Sequence, residues 1–224
     1  MNSDNLTTLV PPTHPNGPAP NGSLVGSNLH GVITMEQSLL PKAPRKRILF
    51  VGWGRTGKDE GAQYCEAHLG LRYGGSTSWA AKEDVAAALG VHPMTAWEQR
   101  HNNRQFWKDY CDWLRRDDPC LLIRRALATG DVVAGIRDRI EFLSAMKERL
   151  FDAVYWVNRP GTPEDFTVTF TQDDVLAAGG IILENSGTLR EYHRLVLKEV
   201  RKLGEPLGLS SYALDLVGEI LETT

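Results

Sequence analysis

The chain has 224 residues, 42% of them hydrophobic, with 25 Lys and Arg against 28 Asp and Glu, a net charge of −3. That length suffices for one α/β domain with a sizeable core. The charge balance excludes a uniformly basic particle, so any nucleic-acid contact must come from a local patch. No apolar run approaches the ~18 residues of a membrane span.

Residues 1 to 43 are rich in Pro, Gly, Asn, Ser and Thr, as in Val10-Pro-Pro-Thr-His-Pro-Asn-Gly-Pro. Such a stretch buries too little apolar surface to offset its ordering entropy, which predicts a disordered arm before a folded domain over 44–224. The polar start has no charged segment leading into an apolar core, so no secretory signal is read. The three cysteines, Cys65, Cys111 and Cys120, have neither CxxC nor His spacing and read as reduced thiols rather than metal ligands. Pro44-Arg-Lys-Arg47 is a basic entry to the first strand, either a solvated face or a phosphate contact.

Ile48 to Val51 is a short apolar run that predicts a buried strand. Gly52-Trp-Gly-Arg-Thr-Gly57-Lys58-Asp59 follows, and then a helical pattern from about Gly57 to His68. Gly, four residues, Gly-Lys, after a strand and opening a helix, is the spacing of a phosphate-binding loop. Glycines let successive N–H groups point into one hollow, and the helix N-terminus adds partial positive charge. Gly52, Trp53, Gly54, Arg55, Thr56, Gly57, Lys58 and Asp59 are therefore the expected nucleotide-binding set, with Lys58 following the β- and γ-phosphates. Asp59 stands where Ser or Thr is usual and is the candidate Mg²⁺ ligand.

Leu71 to Tyr73 is a candidate short strand, and Gly74-Gly-Ser-Thr-Ser-Trp79 a hydroxyl-rich turn. Ser78 is a candidate N-cap for a helix from Ala80 to Leu89, ended by Gly90 and Pro93. Thr95 to Arg116 reads as one long helix. Its aromatic residues Trp97, Phe106, Tyr110 and Trp113 suit a core face or a base-stacking platform. The interleaved Arg100, His101, Arg104 and Lys108 suit a solvated face or a phosphate track. Asp117-Asp-Pro119 breaks the pattern, and Cys120 to Ala128 is the next helix.

Asp131 to Ile136 predicts a second buried strand, with Arg137, Asp138 and Glu141 where the chain leaves it, the edge at which open parallel sheets bind ligands. A crossover helix follows over 138–150. Ala153 to Val157 is a third strand, ending in Asn158-Arg159-Pro160-Gly161. Residues 162 to 175 lack a clear period and suit a lid. Gly180 to Leu183 is the last strand, followed by a helix from Thr188 to Leu203 and a short amphipathic one from Ser210 to Leu221. Strands alternating with helices predict a parallel sheet of about five strands with helices on both faces, and the phosphate loop on the first strand makes this a P-loop phosphotransferase or NTPase.

From Ile48 to about Leu203 the chain resembles bacteriophage deoxynucleoside monophosphate kinases and their relatives. These include the kinases that phosphorylate 5-hydroxymethyluracil within the DNA of phages with hypermodified thymine. The resemblance rests on Gly57-Lys58-Asp59, on Val132-Val-Ala-Gly-Ile-Arg137-Asp-Arg-Ile-Glu141, and on Val157-Asn-Arg159-Pro160-Gly161 with Asn185-Ser-Gly187-Thr-Leu189. It departs in two places. Gly135 stands where the family's second strand has Asp, so Asp59 or Asp138 would have to replace that carboxylate. Gly74-Gly-Ser-Thr-Ser-Trp-Ala-Ala-Lys82 stands where the family carries an Ala-x-Pro-x-Lys-like acceptor segment. The resemblance implies an ATP- and Mg²⁺-dependent kinase acting in the cytoplasm of a bacterial host cell. Lys58, Arg137 and Asp138 are its expected catalytic residues, and Ser76, Thr77, Trp79, Arg100 and Arg104 its expected acceptor-binding residues. The best expectation for the acceptor is the hydroxymethyl group of 5-hydroxymethyl-deoxyuridine in DNA. Free deoxynucleoside monophosphates are the alternative acceptors, and a non-catalytic nucleotide-binding module is the alternative of another class.

Overall fold

All four residues of the first strand, β1 (Ile48–Val51), are buried. A strand buried on both sides requires cover on both faces of its sheet, which is how all-parallel sheets are built. The computed structural model describes residues 45–204; the arm expected over 1–43 and the helix expected from Ser210 to Leu221 lie outside the described residues. The other strands are β2 (Val132–Ala134), β3 (Ala153–Asn158) and β4 (Ile181–Glu184). Every pairing is parallel and the order is β2-β1-β3-β4. The protein is thus an α/β fold with a phosphate-loop sequence leaving its first strand.

In chain order the helices among the described residues are α1 (Lys58–Leu69), α2 (Thr77–Ala80), α3 (Lys82–Leu89), α4 (Pro93–Glu98), α5 (Arg104–Leu114), α6 (Leu121–Thr129), α7 (Arg139–Lys147), α8 (Gln172–Ala177) and α9 (Leu189–Arg201). The two-residue period of β1 sorts its side chains. Ile48 and Phe50 pack with Ala62 and Cys65 of α1 and with Tyr192 and Val196 of α9. Leu49 and Val51 pack on the opposite face with Ile123 of α6, Phe142 of α7 and Val175 of α8. A third cluster joins α3, α4 and α5: Val85, Ala96, Trp107 and Cys111 pack with Leu122 of α6. All three cysteines are buried and free. Among the described residues no helix is long and apolar enough to cross a membrane.

Three expectations are corrected. Among the described residues the sheet has four strands rather than about five, because Leu71 to Tyr73 contributes only one bridge, Tyr73 to Val132. The chain turns at Gly75 (φ +84°) into α2 before a ladder can extend. Ser76, not Ser78, caps the next helix: its hydroxyl accepts the Trp79 N–H at 3.1 Å. The long helix expected from Thr95 to Arg116 is broken into α4, one 3₁₀ turn (Gln99–His101) and α5. The break falls at Asn102 and Asn103. Asn is a weak helix former because its side chain competes for backbone partners, and Asn103 sits at φ −116°, ψ 33°, outside the helical region.

Candidate active site

The loop between β1 and α1 is shaped by what surrounds it. A Cβ on Gly52 (φ +140°) would lie 2.5 Å from the Val157 carbonyl oxygen, and one on Gly57 (φ +102°) 2.6 Å from Asn185 Nδ2. Only glycine fits at either place, where positive φ also favours it. Arg55, between them, is held at φ +66°, a left-handed conformation that curls the loop and costs a non-glycine residue about 1–2 kcal/mol. Two side chains hold the loop from beneath. Asn185 Nδ2 donates to the Thr56 carbonyl at 2.8 Å and the Tyr192 hydroxyl to the Gly57 carbonyl at 3.0 Å. From within, the Thr56 hydroxyl and Lys58 Nζ each donate to the Trp53 carbonyl, both at 3.1 Å. Burial is the main influence lowering the Lys58 pKa, and Arg137 adds to it; Asp59 and Asp165 pull the other way.

Asp59 begins the first turn of α1. Its Oδ1 accepts from the Tyr73 hydroxyl at 3.0 Å, and its Oδ2 lies 3.9 Å from Lys58 Nζ. The side chain is 58% exposed, which leaves Oδ2 open to a metal ion. Mg²⁺ carried by phosphates needs only one or two protein carboxylates, so this residue fits such an ion.

At the same sheet edge β2 leads into Gly135, whose φ of +89° puts it in the left-handed region. A Cβ there would lie 3.4 Å from Lys58 Cε and 3.7 Å from Ser76 Cβ. The space would admit a side chain, but the backbone conformation disfavours one. Arg137 follows, bound to Asp165 at 3.2 Å and also to the Thr167 hydroxyl. Asp138 is the N-cap of α7, its Oδ1 accepting the Glu141 N–H at 2.9 Å. Glu141 is fully buried against Arg115 at 2.5 Å. Burial pushes its carboxyl up, to about 8, against the pull of Arg115.

Beside the loop lies a cavity of about 130 Å³. Arg100, Arg104, Lys108, Arg115 and Arg137 bring five cations to its wall, against the carboxylates of Asp112 and Asp138. Thr77 lines it too, its hydroxyl donating to the Gly135 carbonyl at 3.1 Å. The broken helix still delivers Arg100, Arg104 and Lys108 to one cavity. Ser76 serves as a cap. Trp79 packs edge-on against Trp97 at 4.9 Å under Lys82, away from the cavity wall. Among the cations, Lys108 is neutralised by Asp112 at 2.7 Å, and Arg100 stacks on Trp97 at 3.9 Å. The neighbouring cations, Arg100 foremost, lower the pKa of His101 in the same wall.

Sequence reasoning missed Asp165, Trp107, Arg115 and Thr167 as residues of this site. Asp165 and Thr167 belong to a segment without a period, and only its start at the C-terminal end of β3 pointed to the ligand edge. Trp107 lies on α5 and Arg115 is its C-cap, where the assumed continuous helix hid which face turns inward.

A phosphate-loop sequence at the C-terminal edge of a parallel sheet, beside a cation-lined cavity, defines the class: an α/β P-loop protein. No family model matches the chain, and no curated protein matches it. Among solved structures it is similar to shikimate kinase from Aquifex aeolicus, with a TM-score of 0.37 and 14% identity over 69% of this chain and 96% of that one. It is also similar to an unliganded sugar kinase from a Janibacter species, with a TM-score of 0.39 and 12% identity over 73% of this chain and 98% of that one. The class rests on the chain's own loop and sheet rather than on these likenesses.

Proposed function

We propose that this protein is an ATP-dependent phosphotransferase whose acceptor is itself anionic. The best candidate is 5-hydroxymethyl-deoxyuridine within DNA, modified as a step in thymidine hypermodification in a bacteriophage; a free deoxynucleoside monophosphate is the alternative. The observation that carries the reading is the cavity next to the loop, with five cationic side chains in its wall and only two carboxylates. Lys108, Arg115 and Arg137 are paired with Asp112, Glu141 and Asp165, but Arg104 lies 4.0 Å from Asp165 and Arg100 has only the Trp97 carbonyl and ring. An uncharged acceptor gives no reason for these two arginines at the cavity, whereas phosphates of a nucleotide or a DNA backbone do.

The backbone from Gly52 to Lys58 cradles the phosphates of ATP, and Lys58 leaves the Trp53 carbonyl to meet them. Asp59 would hold Mg²⁺ through a carboxylate oxygen, and the ion would supply charge neutralisation on the triphosphate. Arg137 stabilises charge on the transferred group. Arg100 and Arg104 hold acceptor phosphate, and Thr77 shapes the mouth of the pocket. Asp138, committed to its helix cap, orients α7 and through it the start of the acceptor wall.

The deciding experiment is one ATP phosphorylation assay on three acceptors: free deoxynucleoside monophosphates, hydroxymethyl-dUMP, and DNA containing 5-hydroxymethyluracil. Transfer to the DNA that weakens as salt rises is the expected result, because phosphate contacts release counterions. Transfer to free monophosphates alone leaves the ordinary nucleotide kinase. ATP binding with no transfer to any of the three overturns the phosphotransferase reading in favour of a binding module.

A further inference from the structure

We infer that Asp165 is a catalytic carboxylate of this site: its Oδ2, placed between the phosphate loop and the acceptor cavity, orients the acceptor hydroxyl and takes its proton. The inference rests on the phosphotransferase reading above.

Three observations carry it. First, Asp165 turns inward between two exposed neighbours, Glu164 and Phe166. Its side chain is 10% exposed, whereas the next residue, Phe166, is 87% exposed. Second, its two oxygens have different surroundings. Oδ1 is occupied by the Thr167 N–H at 3.1 Å and the Thr167 hydroxyl at 2.6 Å. Oδ2 accepts a hydrogen bond from Arg137 at 3.2 Å and lies 4.0 Å from Arg104, both cavity residues. The same Oδ2 lies 3.3 Å from where a Cβ on Gly54 would be, so it is on the side of the phosphate loop as well.

Third, Asp138 caps α7, Glu141 is buried on Arg115, and Asp112 binds Lys108 and Arg115; with Asp59 given to the metal ion, Asp165 is the carboxylate left between the loop and the cavity, its Oδ2 shared with Arg137. Gly135 carries none, and its backbone disfavours one. The anchoring of Oδ1 by Thr167 fixes the direction of Oδ2, which matters more than basicity when the transition state is loose and the proton leaves late.

The step balances as follows. The acceptor hydroxyl oxygen bonds to the γ-phosphorus of ATP. The bond from that phosphorus to the bridging oxygen of the β-phosphate breaks, and its electron pair leaves with ADP. The hydroxyl proton passes to Asp165 Oδ2 and from there to solvent.

The test is Asp165→Asn in the full chain, with Asp165→Glu beside it. The readouts are kcat on the acceptor that the unaltered protein uses, ATP affinity by calorimetry, and melting temperature. The expected result is a loss of roughly 10²–10⁴-fold in kcat for Asn, partial activity for Glu, and ATP affinity and melting temperature close to those of the unaltered protein. Tighter ATP binding with kcat kept or raised would mean that the carboxylate only competes with phosphate, and overturns the inference. Recovery of the Asn variant at high Mg²⁺ would make Asp165 a metal ligand and overturns it as well. If the unaltered protein transfers phosphate to no acceptor, the phosphotransferase reading fails and takes this one with it. Full activity of Asp165→Asn sinks this one alone.

Discussion

Replacing Asn185 by Ala removes the support beneath the phosphate loop. The Asn185 side chain is donor to the Thr56 carbonyl at 2.8 Å, and the residue is only 8% exposed. Its loss leaves a buried carbonyl without that partner, which costs about 1–3 kcal/mol. For a domain of this size each kcal/mol lowers the melting temperature by about 2–4 °C, so a fall of roughly 2–12 °C is expected. The functional effect is separate. Freed from beneath, the loop spends part of its time with Thr56 and Gly57 out of position, and apparent affinity falls by the fraction still competent. If the lost bond mainly stabilised the binding arrangement, ATP affinity falls by about 5- to 100-fold, at ~1.4 kcal/mol per tenfold. Calorimetry with ATP and thermal melting on the same sample separate the two effects. Tyr192→Phe, which removes only the hydroxyl on the Gly57 carbonyl, should move both readouts in the same direction and by less. A variant that melts lower but binds ATP within twofold of the unaltered protein would refute the idea that Asn185 pre-organises the loop.

Lys58→Ala should lower kcat at least tenfold while the melting temperature changes little, since the ammonium bonds only a loop carbonyl and the nearby Asp59; steady-state kinetics check it. Gly135→Ala should destabilise the fold by about 1–2 kcal/mol through its backbone conformation alone, because φ is +89° and the space beside it is open to a methyl group; chemical denaturation reads this directly, and unchanged stability would contradict it. Asp131→Asn tests a pH dependence. Burial raises the Asp131 carboxyl, but the Arg72 N–H, Arg45 and Arg72 outweigh it and hold the pKa below the ordinary 3.8. A carboxyl depressed in the folded state adds stability above its unfolded value and loses it as pH falls through the folded one. The Asn variant should therefore be less stable by roughly 1–3 kcal/mol at pH 7, and the gap should close as pH drops below 3.8. Denaturation curves across that range would show a constant gap if the charge plays no part.

The phosphate-loop half of the candidate site was legible because its geometry is local. A strand, a turn and a helix start within Ile48 to Leu69 suffice to build a phosphate loop, and glycine, lysine and spacing encode each part. The alternation of buried strands with helices likewise predicted a parallel sheet, since only a few chain paths join such elements. The cavity half of the candidate site is not local. Arg100 and Arg104 lie in different helical elements, and although the chain breaks between them at Asn102 and Asn103 both reach the one cavity, whose wall is completed by residues distant in sequence. Trp79, prominent in sequence, is spent on packing against Trp97. Asp138 and Glu141, at the promising edge of β2, are taken by a helix cap and a buried ion pair. Asp165 meets Gly54, Arg104 and Arg137 from separate parts of the chain. Local propensity is written in a few consecutive residues, but a side chain's partners across the fold are decided by packing, so the loop could be read from the sequence and the residues facing it could not.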